Sequence, residues 1–302
     1  MNKKNFDLVL LTQREYLTPQ EPSPYIQNIL LEDKLLTRAL EAKGLKVGRT
    51  FWDNSDFDWS STPFVLFRAI WDYFHRFAEF DSWLKNGIQQ SQLINPYALI
   101  EWNMDKHYLL DLQSKNINIP PTVFLEKGQI SSLRDLLEKS AWDKVILKPA
   151  IAGGARHTYL LDKNNIDEYQ DLFQDLIAQE SMLFQEFQKH IASKGEVSFM
   201  VFGGHYSHAV LKKAKAGDFR VQDDFGGSVH PYQATKEEVD FVERVVAQCK
   251  HSPVYARVDV MWDNQNELCV SELELIEPEL WFRMDQNAAT LMANALITYI
   301  NR

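Results

Sequence analysis

The chain has 302 residues, 45% of them hydrophobic and 25% charged, the proportions of an ordinary globular protein with material for two or three lobes. A net charge of −10 argues against unspecific binding to nucleic acid or to an anionic membrane and leaves room only for a local basic pocket. Cys249 and Cys269 make neither a disulfide framework nor a zinc site and read as buried thiols.

Lys3 and Lys4 precede an apolar run that stops at Leu11, too short for a signal peptide. No later stretch is long enough to span a bilayer, so the expected location is the cytoplasm. Phe6 to Leu11 reads as a strand, and the loop with Pro19, Pro22 and Pro24 cannot be helical throughout. Leu31 to Lys43 has helical spacing with Gly44 as its stop; Leu45 to Trp52 and Phe64 to Phe67 read as further strands. This order predicts a small parallel α/β lobe. Parallel sheets bind ligands at the carboxyl ends of their strands, which makes Arg68, Trp71 and Asp72 candidate substrate contacts. The plainer alternative there is a helix start with exposed charges.

Phe77 to Gly87 reads as a helix, Asn95-Pro96 as a break, and Trp102 to Leu112 as a second helix. His75, His107, His157 and His190 have no visible partner and read as surface or satisfied core histidines. After Pro120-Pro121 a second lobe begins, with a strand at Val123 to Leu125 and a helix at Ser131 to Lys139. Val145 to Pro149 is a strand ending in Lys148-Pro149, and Thr158 to Leu161 returns from it. The loop between them holds Gly153, Gly154, Ala155 and Arg156. Small residues there let backbone N–H groups approach an anion, although a flexible hairpin with a solvated arginine would look the same. Asp167 to Glu180 is an amphipathic helix, and Leu183 to Phe187 is a strand that could cross between lobes. Glu196 to Phe202 and His205 to Leu211 form a hairpin around Gly203-Gly204. Basic residues and glycines follow, from Lys212 and Lys213 through Gly217 to Gln222 and Phe225 to Gly227. Thr235 with Glu238 predicts a capped helix to Lys250, and Asn287 to Ile300 a closing apolar helix.

Val254 to Trp262 and Leu268 to Ile276 read as two strands joined by the turn residues Asp263 to Asn266. A hairpin centred between Gln265 and Asn266 sets Asp259 across from Glu272, and Arg257 across from Glu274. Three carboxylates and a guanidinium then share one face. Such acids repel one another unless a cation neutralises them, which suggests a Mg²⁺–nucleotide site. A solvated face with an ordinary Arg–Glu pair is the plainer reading.

Taken together, Lys106, Lys148 with its small-residue loop, Gln185-Glu186-Phe187, Glu196, Lys212, Arg220 and the Asp259/Glu272/Glu274 set follow the order of the ATP-grasp superfamily, which the chain resembles over nearly its whole length. The likeness is to the RimK/glutathione-synthetase-like branch. WDY near residue 71, WNMDK at 102–106, GDFRVQ at 217–222 and ELELIEP at 272–278 resemble the subgroup that cyclises O-ureido-D-serine in cycloserine biosynthesis. This resemblance implies an α/β chain of α+β lobes. Residues 1–105 would form a Rossmann-like pre-ATP-grasp domain, 106–185 the small ATP-grasp lobe, and 186–302 the C-terminal lobe with the metal and phosphate site. It implies that Lys106 and Lys148 neutralise phosphates and that the loop from Gly153 to Arg156 folds over them. Gln185, Glu186 and Phe187 would hold adenine and Glu196 the ribose. Asp259, Glu272 and Glu274 would carry one or two Mg²⁺ ions, with Mn²⁺ as a substitute. Lys212, Arg220 and Arg257 would face the transferred phosphate and the acyl intermediate. Glu274 departs from the asparagine of many relatives, and Lys212 from the arginine of glutathione synthetases.

The implied chemistry is an ATP-dependent ligation of a small amino-acid-like carboxylate to an amine or amide through an acylphosphate. The partners are then small molecules, with no nucleic acid and no membrane, and a homodimer is the common assembly of such enzymes. A peptide-tailoring ligase and a nucleotide-binding module without turnover are the alternatives.

Overall fold

The computed structural model describes residues 5–86, 90–215, 217–218, 220–221 and 226–302. Lys3, Lys4, Gly87, Phe219, Gln222 and Phe225, named above, lie outside the described residues.

The first sheet is parallel, in the order β2-β1-β3-β4, and consists of β1 (Leu8–Thr12), β2 (Val47–Phe51), β3 (Phe64–Phe67) and β4 (Gln92–Ile94). The parallel lobe expected from the sequence is therefore present, with β4 as a strand too short to show its alternation. Helix α1 (Pro24–Glu41) connects β1 to β2, and α2 (Phe77–Asn86) connects β3 to β4. Helix α1 begins at Pro24 rather than at Leu31. A proline at the first helical position lacks only an N–H that has no partner there, and Ser23 Oγ caps the turn by accepting from the Ile26 N–H at 3.3 Å.

Two short helices, α3 (Tyr97–Met104) and α4 (Tyr108–Ser114), replace the single helix expected from Trp102 to Leu112. Asp105 turns extended, and its carboxylate accepts from the His107 N–H at 3.0 Å, which breaks the helix. Lys106 sits in the gap, with its own N–H donated to Ala150 O at 3.0 Å.

The second sheet is antiparallel, in the order β5-β8-β6-β7: β5 (Thr122–Leu125), β6 (Lys144–Pro149), β7 (Tyr159–Asp162) and β8 (Met182–Glu186). Helices α5 (Leu133–Ser140) and α6 (Gln170–Ile177) pack on it through a core with Leu147, Phe173 and Phe184. After the short α7 (Ile191–Lys194) comes a third, antiparallel sheet in the order β11-β10-β9-β12-β13. Its strands are β9 (Glu196–Phe202), β10 (His205–Lys213), β11 (Ser228–Tyr232), β12 (Tyr255–Trp262) and β13 (Leu268–Glu274). Helix α8 (Lys236–Ala247) has the expected Thr235–Glu238 capping box and packs with α4 against Val197, Phe199 and Val258 on one face of this sheet. Helix α9 (Ala288–Ile300) packs with α1 against Met200, Phe202 and Tyr255 on the other. Two of the apolar cores draw on separate parts of the chain: α4 joins the third sheet, and α9 ties that sheet to the first lobe.

Strand β13 is an edge, and side chains from before the second sheet cover it. Asn103 donates to Leu273 O and accepts from the Leu275 N–H, both at 2.9 Å, and the Tyr108 hydroxyl accepts from the Leu273 N–H at 2.9 Å. Asn95 donates to Tyr255 O at 2.9 Å and Leu275 O at 2.8 Å, and accepts from the Val254 N–H at 2.7 Å. Cys249 and Cys269 are free thiols, and burial pushes the Cys249 thiol up to about 12. Among the described residues no helix is long and apolar enough to cross a membrane.

Candidate active site

Strands β12 and β13 pair with Arg257 opposite Glu274 and Asp259 opposite Glu272, the register expected from the turn. Next to this the ladder slips, so that Val260 faces Val270 and Ser271 is an extra residue. A bulge re-aims side chains, and here both Ser271 and Glu272 line the same cleft. Ser271 Oγ lies 2.6 Å from Glu196 Oε2 and 3.0 Å from Asp259 O, and Ser198 Oγ donates to Asp259 Oδ1 at 2.5 Å. On the opposite face Val258, Val260, Val270, Leu273 and Leu275 enter the core under α8. That apolar packing fixes where the charges stand.

Carboxylate oxygens of Asp259, Glu272 and Glu274 lie within 4.8 Å of one another. Four cations of the protein meet them. Lys106 Nζ is 3.0 Å from Glu272 and donates to Ala152 O at 2.6 Å. Lys212 Nζ is 2.5 Å from Glu196 and 3.1 Å from Asp259. Arg257 grips Asp259 through Nε at 3.0 Å and Nη2 at 2.8 Å, and Nη2 also donates to Glu274. Lys148 stands close enough to Glu272 for the two charges to interact, while burial lowers its ammonium pKa. The Trp281 ring lies under both Arg257 and Lys212, at 5.2 and 6.0 Å from its centroid.

These contacts divide the three acids. Burial alone would raise each pKa. At Asp259 it is overcome by Arg257, Lys212 and the Ser198 hydroxyl, which hold the carboxyl far below its ordinary range. At Glu272 it is overcome by Lys106 and Lys148, and the net shift is downward. Glu274 is different: burial lifts it to about 8, Glu272 and Asp259 push the same way, and Arg257 opposes them incompletely. The sequence argument asked for an external cation to make the cluster tolerable. In the structure lysines and arginine provide most of that compensation, and Glu274 is the acid left over. Three clustered carboxylates, one of them compensated incompletely by the protein's own cations, are a donor set suited to a hard divalent cation.

The cluster forms one wall of a cleft of about 850 Å³ between the three sheets. The second sheet contributes Lys148, Gln185 and the loop through Gly153, Gly154 and Ala155; the first lobe contributes Tyr16, Tyr25, Trp71 and Asp72. A Cβ on Gly153 would stand 2.7 Å from the Phe74 ring, and Gly154 and Ala155 have φ of +55°. The loop therefore rests against the first lobe in a path that suits small residues.

Residues 110–272, more than half of the chain, match the family described as the ATP-grasp domain of prokaryotic glutathione synthetase. The chain belongs to the ATP-grasp family. Residues 8–95 of this ATP-grasp ligase match the N-terminal domain of D-cycloserine synthetase DcsG. It is 26% identical to the cycloserine biosynthesis protein DcsG of Streptomyces lavendulae over 279 residues, covering 86% of this chain and 91% of that one. The crystal structure of D-cycloserine synthetase DcsG superposes with a TM-score of 0.85 at 24% identity, over 97% of this chain and 99% of that chain. The ATP-grasp ligase PsnB, solved with precursor peptide PsnA2 and AMPPNP, gives 0.63 at 14% identity over 99% of both chains.

Most ATP-grasp residues singled out in the sequence line the cleft: Lys106, Lys148, Gly153, Gly154, Ala155, Gln185, Glu186, Phe187, Glu196, Lys212, Arg220, Arg257, Asp259, Glu272 and Glu274, with Trp71 and Asp72. Two arginines do not. Arg68 is 3% exposed and binds Glu32, 3.6 Å from Asp33 and within reach of Pro278 O, so its charge anchors α1 to the segment after β13. Arg156 turns back onto Glu180 and Ile151 O inside the small lobe, away from the phosphates the resemblance assigned to it. Two backbone N–H groups assigned to adenine are also engaged, Glu186 with Pro121 O at 2.8 Å and Phe187 with Lys144 O at 3.0 Å. Arg220 reaches the cleft bonded to Asp218 at 2.7 Å. His107, read as partnerless, meets Asp105 at 2.5 Å and Glu126 at 3.1 Å, and its pKa rises because these carboxylates outweigh burial. Ser198, Ser271, Glu277, Glu279 and Trp281 are contributors that the sequence reading left out.

Proposed function

We propose that the protein joins the carboxylate of a small amino-acid-like substrate to an amine or amide nitrogen, cleaving ATP to ADP and phosphate through an acylphosphate. The observation that carries this reading is the cluster itself: three carboxylates interleaved with Lys106, Lys148, Lys212 and Arg257 on one wall of the cleft. Phosphoryl transfer asks a protein for positioning and charge neutralisation rather than for a nucleophile, and this wall offers both.

In this reading Asp259, Glu272 and Glu274 would hold Mg²⁺, and the ion would supply neutralisation of phosphate charge. Lys106 and Lys148 hold phosphate oxygens, and the loop at Gly153 and Gly154 keeps water from the activated carboxyl. The substrate carboxylate oxygen attacks the γ-phosphorus, and ADP leaves. Lys212 and Arg220 bind the transferred phosphoryl group. The nitrogen then attacks the acyl carbon, Arg257 stabilises the oxyanion, and phosphate departs carrying one former carboxylate oxygen. The segment 1–105 supplies the acceptor side, 106–185 the cover over the nucleotide and 186–302 the reacting wall.

The test is isotopic. With an ¹⁸O-labelled carboxylate substrate, one label should appear in the released phosphate. Release of unlabelled phosphate during amide formation, or cleavage to AMP, would reject the acylphosphate. A panel of amino acids, short peptides and a precursor-type peptide, assayed for phosphate release, separates the small-molecule reading from peptide tailoring.

A further inference from the structure

The chain leaves β13 in an extended run whose side chains alternate. Glu277, Glu279 and Trp281 line the cleft, while Pro278 and Leu280 are buried on the other side. The run is fixed from several directions. The Trp71 indole N–H donates to Glu277 O at 2.9 Å, and the Leu280 N–H donates to Glu32 at 2.9 Å. Leu280 O accepts from His208 Nε2 at 2.8 Å. Trp281 takes φ of +45°, a conformation unfavourable for a bulky residue that this network holds in place.

The acids on this side of the cleft differ in their partners. Glu279 pairs with Arg283 at 2.5 Å, Asp72 with Arg76 at 3.1 Å and the Trp52 indole at 2.9 Å, and Glu15 accepts from Gln13 at 3.3 Å. Glu277 has the Tyr73 hydroxyl as hydrogen-bond partner and, among the described residues, no ion pair. Burial lifts its carboxyl to about 7, and the charges of Arg257 and Lys106, beyond ion-pair distance, offset this only in part. Beside it stands Trp71, itself flanked by Tyr16 and Tyr25 at ring separations of 6.0 and 5.9 Å. Besides the lysines and Arg257 of its metal-binding wall, the cleft thus holds a carboxylate with no ion pair among the described residues, next to aromatic faces. A cation is the ligand group that satisfies both features.

We propose that Glu277, together with Trp71, is the specificity-determining contact for the ammonium group of the carboxylate substrate, so that the enzyme takes zwitterionic amino acids and discriminates against the same acids without a free ammonium. The proposal rests on the ligase reading above and adds the class of substrate to it. Held beside Glu277, an ammonium would leave the carboxylate of a small amino acid in the same cleft as Arg257.

The test uses a panel of D- and L-amino acids, each beside its N-acetyl and desamino counterparts, with phosphate release from ATP as readout. The wild type should favour the free amino acids in kcat/KM by about ten- to hundredfold, the range expected for losing a charge-assisted hydrogen bond. Glu277→Gln should raise KM for the amino acid by a similar factor, leave KM for ATP unchanged and narrow the preference; Glu277→Asp should keep part of it. Calorimetric binding of the amino acids to protein saturated with a non-hydrolysable ATP analogue gives the same comparison without turnover. Equal use of desamino acids by the wild type, or an unchanged amino-acid KM in a folded Glu277→Gln, overturns the proposal and leaves the ligase reading standing. If no carboxylate of any kind elicits phosphate release, the ligase reading itself falls.

Discussion

Arg257 binds Glu274 directly across the β12–β13 ladder, yet burial lifts that carboxyl to about 8 against the pull of the guanidinium, which also grips Asp259 through two nitrogens. One arginine cannot compensate two buried acids that also repel each other and Glu272. The cations Lys106, Lys148, Lys212 and Arg257 match Asp259, Glu272, Glu274 and Glu196 in number. Burial nevertheless leaves Glu274 the acid they compensate least, and a bound divalent cation would complete that compensation.

Glu272→Gln tests it. The substitution removes one of the three carboxylates while preserving shape, and leaves Asp259 bonded to Arg257 and Lys212. Turnover should fall by about three orders of magnitude, as for loss of a metal ligand worth several kcal/mol in the transition state. Circular dichroism and melting temperature should stay close to wild type. Retained activity would remove Glu272 from the proposed metal set.

Gly153 and Phe74 make a second test. A Cβ at Gly153 would meet the ring at 2.7 Å, so Gly153→Ala must push either the loop or the ring aside. The variant should show KM for ATP raised by about tenfold, the scale of a 1–2 kcal/mol overpacking cost. Phe74→Ala in the same chain should restore much of it. If the double variant is as impaired as the single, the loop does not rest on the first lobe through this contact.

The hairpin register is readable because turn residues and alternation are local signals, and they set Asp259 opposite Glu272. The bulge at Ser271 is not: it depends on how β13 packs under α4 and α8. Asn95 looked like a break and is a joint, since its three partners lie far along the chain and no local pattern encodes them. Position after a parallel strand points Arg68 to the ligand and position in a motif points Arg156 there, whereas their acidic partners Glu32 and Glu180 decide where each guanidinium points. The alternation of Glu277, Glu279 and Trp281 was present in the sequence but is masked by Pro278, which reads as a strand end.

Asn95 allows a stability prediction. It has φ of +57°, which asparagine tolerates, and satisfies three buried backbone groups between the first lobe and the third sheet. Asn95→Ala should cost about 3 kcal/mol or more, from stranded backbone groups and the backbone strain together. Asn95→Gly relieves the strain but not the lost bonds and should recover only about 1 kcal/mol of it. Denaturant midpoints of the three proteins measure both parts, and a Gly variant as stable as wild type would show that the bonds contribute little.

His208 gives the pH dependence. Its ring is 6% exposed, Nε2 meets Leu280 O, and burial, although opposed by that bond, holds its pKa below the ordinary 6.5. The folded state therefore keeps the ring neutral where the unfolded chain already binds a proton. The sign follows: the stabilising contribution is complete above about pH 6.5 and is lost as pH falls below it toward the folded pKa. Wild-type melting temperature should drop between pH 7 and pH 5 by more than that of His208→Gln, which keeps a donor for Leu280 O but cannot titrate. Because Leu280 lies between Glu279 and Trp281, the wild type should also lose amino-acid affinity at the lower pH more steeply than the variant does. Parallel melting curves for the two proteins across that interval would show that His208 stays uncharged without cost.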